Sequence, residues 1–264
     1  MAVASARVAE LTAASRRLCN SAILTDREVE HLEEMQEDRV SLDGGHDFVR
    51  EGDPFANAYV LQSGWALRYR VTPEGKRQIL SFVLPGDFVG LHANYERHAA
   101  YSVQTLGCAE LGRIEPIRLL DLYRNFPILA SGLDWVSATN FNILAEHAVS
   151  LGVRTARRRI LHLLLELQCR LMSVGLARED GFENPMTQIH IADSLGLTPV
   201  YVSRCLKQLR AEKLVDVRRG YVSFPDLSRA FAAASFDAAF LEPFLPRSQP
   251  PNRPVARMEK LRGD

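Results

Sequence analysis

One stretch in the second half of the chain brings together side chains that suit contact with a nucleic acid. Between residues 186 and 209, hydroxyl, amide and cationic side chains recur at spacings that two short helices would gather on one surface. Arg204 can donate two parallel hydrogen bonds to O6 and N7 of guanine, so it is the first candidate for reading a base. The candidate contacts are Thr187, Gln188, Thr198, Pro199, Val200, Tyr201, Ser203, Arg204 and Lys207.

The same stretch has the signals of two helices joined by a tight turn. Ala192 is small where two helices would cross, and Gly196 suits a turn residue with positive φ. Thr198 followed by Pro199 is the N-cap signature of a second helix. In a helix-turn-helix this second helix enters the major groove of DNA by its N-terminus, so its early exposed residues reach bases or phosphates.

A short hairpin pattern over residues 214–224 favours a winged helix-turn-helix over a plain helical hairpin with a solvated face. Arg218 and Arg219 stand beside Gly220 at the predicted wing tip, where phosphate contact is expected. The alternative function for this region is recruitment of a protein partner in place of DNA. An enzyme is disfavoured because no nucleophile with an adjacent base, phosphate-binding loop or metal pair is visible.

Charge is distributed unevenly along a chain whose net charge is zero. Residues 1–150 hold 14 Lys and Arg against 20 Asp and Glu, whereas residues 151–224 hold 12 against 7. The basic second part suits a polyanionic partner. No apolar run approaches the roughly 20 residues of a membrane span, and no secretory signal pattern is visible, so a cytoplasmic protein is expected.

The four cysteines, Cys19, Cys108, Cys169 and Cys205, lack the short spacings of a metal site. Free thiols and no structural metal are therefore expected in a reducing compartment. Cys205 lies beside Arg204 on the predicted second helix, where a cationic surrounding would lower the pKa of its thiol and favour redox activity. The alternative is a small buried residue on the core side of that helix.

Short alternating runs separated by glycine-bearing turns predict a closed β-structure, such as a roll or jelly roll, over residues 41–126. Within it, the segment 72–75 has the Pro and Gly of a tight turn, which predicts a hairpin. Residues 1–40 are expected to form a helical lead-in. The roll would be the N-terminal domain.

A long helix is predicted over residues 127–152, where no proline follows Pro127 and strand-forming composition is low. A helix of this length would span roughly 37 Å at 1.5 Å per residue. Residues at steps of three and four form a seam, and from periodicity alone it packs equally well on the roll or on a second copy. The predicted dimer seam is Leu133, Val136, Asn140, Ile143 and His147.

Residues 153–228 begin with an apolar helix that has a basic start, and they continue through the two short helices and the hairpin. The chain is therefore expected to be α+β, with an N-terminal β-roll (jelly-roll-like) sensor domain, a long dimerisation helix and a C-terminal winged helix-turn-helix. Residues 229–264 form a C-terminal extension, whose proline-rich end is expected to be disordered from about residue 245.

Several motifs of the roll, taken with the helix-turn-helix, resemble the Crp/Fnr family of bacterial transcription regulators over residues 42–228. The resemblance implies a cyclic-nucleotide-binding-like roll and a homodimer that recognises a near-palindromic operator in double-stranded DNA. It also implies contact with RNA polymerase, and it favours the dimer interpretation of the seam. The motifs are Glu51-Gly52-Asp53, Gly64, Gln78-Ile79, Leu84-Pro85-Gly86-Asp87-Phe88-Val89-Gly90-Leu91 and Val202-Ser203-Arg204.

The roll departs from the cyclic-AMP-responsive members of that family, which carry a Glu for the ribose and an Arg-Ser pair for the phosphate. Here Leu91 follows the turn directly and His98 follows Arg97, so cyclic AMP binding is not expected and the pocket is vestigial or retuned. An iron–sulfur cluster is not expected, because only Cys19 precedes the roll. Haem ligation by a histidine stays open. The pocket candidates are Val89, Gly90, Leu91, Arg97, His98 and Tyr101, and the histidines are His46, His92 and His98.

The reading helix also departs from the family pattern. Many members have a Glu three residues before the Ser that precedes the recognition Arg, and Val200 stands at that position here. Valine can contact a thymine methyl group but cannot accept a hydrogen bond from cytosine N4. The preferred half-site is therefore expected to differ from the usual one of the family.

Overall fold

The computed structural model describes residues 11–21, 24–54, 56–92, 98–218 and 220–241. The helices are α1 (Ala13–Ser21), α2 (Asp26–Glu34), α3 (Pro116–Asn125), α4 (Pro127–Val153), α5 (Ala156–Ser173), α6 (Gln188–Leu195), α7 (Pro199–Ala211) and α8 (Leu227–Ala234), followed by a 3-10 turn (Ala238–Leu241). The strands are β1 (Arg39–Leu42), β2 (Asp47–Val49), β3 (Ala58–Ser63), β4 (Ala66–Val71), β5 (Arg77–Val83), β6 (Phe88–Val89), β7 (Ser102–Thr105), β8 (Ala109–Ile114), β9 (Gly181–Glu183), β10 (Asp216–Arg218) and β11 (Tyr221–Ser223). The proposed tail from about residue 245 lies outside the described residues.

The first eight strands form the predicted roll from two antiparallel four-stranded sheets. Their strand orders are β1-β8-β3-β6 and β2-β7-β4-β5. The hairpin predicted at residues 72–75 is confirmed, since β4 and β5 pair directly and the Gly75 amide donates to the Thr72 carbonyl at 2.8 Å. Gly75 has φ +78°, which explains why the turn needs glycine.

Helix α4 buries the face that was predicted to be the dimer seam, and that prediction is wrong in its residues. Leu133 and Val136 lie in a core formed with the N-terminal helices and the roll, and Ile143 and His147 are also buried within the chain. Asn140 is half-buried. The physical reason is that α4 is apolar on both faces, so periodicity could not identify the covered one. The exposed apolar residues are Ile128, Phe141, Leu144, Val149 and Val153.

The roll and the C-terminal domain share one hydrophobic core. Trp65, the residue just before β4, stacks on Phe182 of β9 with ring centroids 6.1 Å apart. Phe82 of β5 also belongs to this core, together with the apolar face of α5. Strand β9 pairs with β11 and adds a third strand to the hairpin predicted over residues 214–224, which makes a three-stranded wing sheet.

A buried cluster of four charges links the N-terminal helices, the roll and α5. The carboxylate of Asp87, 1% exposed, pairs with both Arg17 and Arg170. Arg170 also pairs with Glu166 at 3.0 Å and donates to the Phe82 carbonyl at 3.0 Å. Burial alone would raise the pKa of Asp87, but the two guanidinium groups outweigh it and hold that pKa below its ordinary value.

The 3-10 turn at the end of the described chain packs where α4 and α5 meet. The ring centroids of Phe236 and His162 lie 4.5 Å apart. Phe240 stacks on the His162 ring and meets the Phe236 ring edge-on. Burial and the nearby Arg154 lower the pKa of His162 to about 4, although Glu146 opposes them. His162 is therefore a neutral, packed side chain at physiological pH. No described helix is both long and apolar enough to traverse a lipid bilayer.

Candidate nucleic-acid interface

Helix α6 is the first helix of the predicted helix-turn-helix and begins with a complete cap. The Thr187 hydroxyl accepts from the His190 amide at 3.3 Å, and the His190 ring accepts from the Thr187 amide at 3.1 Å. The helix ends at Gly196, whose φ of +62° is the left-handed conformation predicted for the turn. Gln188, the first residue of α6, is exposed beside the second helix.

Helix α7 begins at Pro199, as predicted, and Thr198 is its N-cap. The Thr198 hydroxyl accepts from the Tyr201 amide at 3.3 Å. One face of α7 is buried against the domain core by Val202, Cys205, Leu206 and Leu209. The opposite face is exposed, and it carries Val200, Tyr201, Arg204 and Lys207.

The exposed face of α7 and the start of α6 together line a shallow surface depression. None of its six lining residues is acidic, so nothing in the lining opposes a polyanion. The Arg204 guanidinium lies 5.9 Å from the ring centroid of Tyr201, a cation–π distance that holds this side chain over the helix surface. Ser203 is half-buried between the exposed residues. The lining residues are Gln188, Pro199, Val200, Ser203, Arg204 and Lys207.

The wing hairpin is formed by β10 and β11, and Gly220 in its turn has φ +77°. The Arg218 side chain is 64% exposed and pairs with Asp216 at 2.9 Å. Arg219 lies outside the described residues. The structure therefore places one of the two predicted wing cations on the surface of the domain.

Cys205 does not have the reactive environment that was hypothesised for it. Its side chain is 2% exposed in the core between α5 and α7. Burial raises the pKa of its thiol, and the cationic Arg157 and Arg204 only partly offset that effect. The low-pKa hypothesis was wrong because residue 205 belongs to the buried face of α7, which the spacing of Val202 and Leu209 already indicated.

The helix-turn-helix is held against the roll and α4 through the end of α6. Arg77 of β5 pairs with Asp193 at 2.8 Å, and the Gln78 side chain donates to the Ser194 carbonyl at 3.0 Å. His147 of α4 donates through Nε2 to the same carbonyl at 2.6 Å. His147, which was predicted for the dimer seam, therefore hydrogen-bonds to the C-terminal end of α6 within its own chain.

A second cavity, of about 200 Å³, lies between the roll and α4. Gly90, Leu91 and Tyr101 line it, as predicted for the sensor pocket. Val89 does not, because its side chain is buried in the core of the roll, and His98 is exposed outside the cavity. Arg97 lies outside the described residues.

Arg68 also lines this cavity and was not identified from the sequence. It is 8% exposed, donates to the Phe88 carbonyl at 2.7 Å and to the Ser81 hydroxyl at 3.2 Å. Its guanidinium also lies 5.9 Å from the ring centroid of Tyr101. An Arg in the middle of a half-buried strand is the signal that would have indicated it.

A β-roll joined through a long helix to a winged helix-turn-helix is the architecture of a sensor-coupled DNA-binding regulator. A family model of the cyclic nucleotide-binding domain matches residues 39–126, and one of the Crp-like helix-turn-helix domain matches residues 158–229. The nitrogen fixation regulation protein FixK of Bradyrhizobium diazoefficiens is 30% identical over 209 residues, which are 79% of this chain and 85% of that relative.

Two further similarities point the same way. The transcriptional activatory protein AadR of Rhodopseudomonas palustris is 31% identical and covers 69% of this chain and 72% of its own length. The structure of FixK2 from Bradyrhizobium japonicum superposes with a TM-score of 0.66 at 25% identity, over 74% of this chain and 95% of that one. The chain belongs to the Crp/Fnr family and is a DNA-binding transcription regulator.

Proposed function

We propose that the protein binds a near-palindromic operator as a homodimer, with α7 of each subunit in a major groove. The observation that carries this proposal is the exposed face of α7, where Arg204 and Lys207 lie together in a depression with no carboxylate in its lining. A two-fold dimer would place its half-sites about one helical turn, roughly 34 Å, apart. We further propose that it acts in the cytoplasm, contacts RNA polymerase and catalyses no reaction.

The exposed face of α4 supports the dimer. Phe141 is 70% exposed and Val149 is 46% exposed, although the opposite face of the same helix is fully covered by the chain itself. A helix that is apolar on both faces has to be covered on both. A second copy of α4 would cover Phe141 and Val149, while the small residues Ala145 and Ala148 between them would allow close approach.

The sensor cavity supports a retuned or constitutive roll without a bound cofactor. Its volume of about 200 Å³ is below the roughly 300 Å³ at which small-molecule sites usually begin. Arg68 donates to the Phe88 carbonyl and the Ser81 hydroxyl; both acceptors are neutral, so they orient the guanidinium without cancelling its charge. The described residues that line the cavity include no carboxylate, which supports the proposal that the roll does not bind cyclic AMP. His92 also lines the cavity and remains a candidate haem ligand.

Cyclic AMP at millimolar concentration is expected to leave DNA affinity unchanged, because Leu91 lines the cavity where a ribose-binding carboxylate would be needed. Isothermal titration calorimetry and DNA-binding titrations with and without the nucleotide check this. Saturable binding that shifts the DNA affinity would contradict it.

Arg204→Ala is expected to lower affinity for the preferred duplex by about 1–3 kcal/mol and to relax its sequence preference, because Arg204 meets a base edge. Arg218→Ala is the matched control on the wing. This variant is expected to bind preferred and scrambled duplexes more weakly by similar factors. It is also expected to reduce the slope of the logarithm of the binding constant against the logarithm of salt concentration by about one, as loss of a phosphate contact does.

Fluorescence anisotropy at several salt concentrations separates the two arginines. Equal losses on all sequences for both variants would show that Arg204 is a backbone contact. Binding that is insensitive to salt would instead favour recruitment of a protein partner. We expect the same result for Arg219→Ala, because the sequence places Arg219 beside Arg218 at the wing tip.

A further inference from the structure

A small cavity, of about 90 Å³, lies beside the buried cluster of four charges around Asp87. Its walls come from α1, the loop between β5 and β6, α4, α5 and the end of the 3-10 turn, so it lies where the roll meets the DNA-binding domain. This volume is far below the roughly 300 Å³ at which sites for organic ligands usually begin, yet a water-sized group needs only about 10–15 Å³. The polar lining includes Arg17, Asp87, Thr139 and Arg170.

The charges around this cavity do not balance. Three guanidinium groups, those of Arg17, Arg68 and Arg170, are each 8% exposed. They face two buried carboxyl groups, those of Asp87 and Glu166, which leaves one positive charge in excess among these five groups. Burial raises the pKa of Glu166 above its ordinary value, which favours the neutral carboxyl and enlarges the excess. A buried charge without a counter-charge is strongly unfavourable, so an anion would stabilise the cluster.

One donor of the cluster also lacks an acceptor. The Nε atom of Arg170 is buried and has no hydrogen-bond partner among the described residues. The other two nitrogens of this guanidinium are occupied, because they bind Glu166, Asp87 and the Phe82 carbonyl. A buried polar atom without a partner points to a water molecule or an ion beside it. The excess of positive charge favours an anion over a neutral water.

We propose that this cavity binds one monovalent inorganic anion of the size of chloride, held by the guanidinium groups of Arg17 and Arg170 and by the hydroxyl group of Thr139. One negative charge balances the excess of the cluster. Asp87 also lines the cavity and opposes an anion, but three guanidinium groups surround that single carboxylate. Because the walls come from both modules, a bound anion would hold the roll and the DNA-binding domain together. The site does not require DNA, so this inference is independent of the proposed function.

The test exchanges sodium gluconate for sodium chloride around the full-length protein, at a constant ionic strength of roughly 150 mM that keeps screening unchanged. Gluconate is the reference anion because its six-carbon chain is too large for a cavity of about 90 Å³. The unfolding temperature is expected to rise saturably with chloride, by about 3 °C, as binding to the folded state requires. The NMR resonance of chloride is expected to broaden when the protein is added.

Two variants locate the site. Thr139→Val keeps the volume of the side chain and removes its hydroxyl group, so chloride binding is expected to weaken about tenfold through loss of a hydrogen bond to a charged group. Arg170→Lys keeps the positive charge but removes the Nε donor, and it is expected to weaken binding at least as much. Ser137→Ala is the matched control, since it removes a hydroxyl group of α4 that donates to the Leu133 carbonyl outside the cavity. It is expected to keep the wild-type response.

Two results would overturn the proposal. If neither the unfolding temperature nor the chloride resonance responds to the exchange of anions, the cavity holds only water. If Thr139→Val responds to chloride as wild type does, the anion binds elsewhere on the protein. Thr139→Val leaves every charge of the cluster in place, so this comparison stays available even if Arg170→Lys does not fold.

Discussion

Asp87→Asn is expected to lower the free energy of unfolding by about 3–5 kcal/mol, because it leaves the buried guanidinium groups of Arg17 and Arg170 without their shared carboxylate. The amide keeps the volume of the side chain, so the loss measures charge and not packing. Urea unfolding followed by tryptophan fluorescence gives the value. The matched control is Asp38→Asn, which removes a close but half-exposed pair with Arg113 and is expected to change stability far less, because solvent screens an exposed ion pair.

The same cluster predicts how stability depends on pH. The folded pKa of Asp87 is held below its unfolded value of about 3.9, so its contribution is present above that pH and is lost as the pH falls through the folded pKa. Wild type is therefore expected to lose stability more steeply than Asp87→Asn below about pH 4. If stability fell equally steeply with decreasing pH in both proteins, Asp87 would make no pH-dependent contribution to stability.

The double variant Phe141→Glu with Val149→Glu is expected to be monomeric at micromolar concentration and to bind the operator at least about 100-fold more weakly. The variant would bring four carboxylates together at the dimer interface, and their repulsion opposes association. A monomer then contacts only one half-site, so it loses the affinity that a dimer gains by binding two linked half-sites. Light scattering measures the mass, and anisotropy measures the affinity.

Val71→Glu is the control for the charge itself, because Val71 is exposed on the roll and lies far along the chain from α4. It is expected to stay dimeric. Substitution of Leu133 or Val136, the residues first predicted for the seam, is expected to destabilise each subunit, since both are buried within it. A double variant that remained dimeric would assign the interface to another surface.

Local signals in the sequence predicted the local structure well. Thr198 and Pro199 start α7 as predicted, and residues 72–75 form the expected hairpin. Both features depend on side chains within a few residues of one another, so their physics is visible in a short window. The same applies to Gly196, whose left-handed conformation follows from its own lack of a Cβ atom.

Features that depend on distant partners were missed. Asp87 and Arg170 are 83 residues apart, and no local pattern shows that they meet, although Glu166 and Arg170 at a spacing of four within an apolar helix indicate a buried pair. Strand β9 is only three residues long and exists because β11 provides its hydrogen bonds. The covered face of α4 was equally invisible, because apolar residues occur on both of its faces.

Trp65 belongs to the roll along the chain, yet its ring is packed with Phe182 of the DNA-binding domain. The division of the sequence into two modules therefore does not correspond to a division into independently stable parts. Pulling the two modules apart would expose apolar surface at a cost of roughly 25 cal/mol per Å². The two modules should consequently melt in a single cooperative transition, and a signal that repositions the reading helix has to supply that surface energy first.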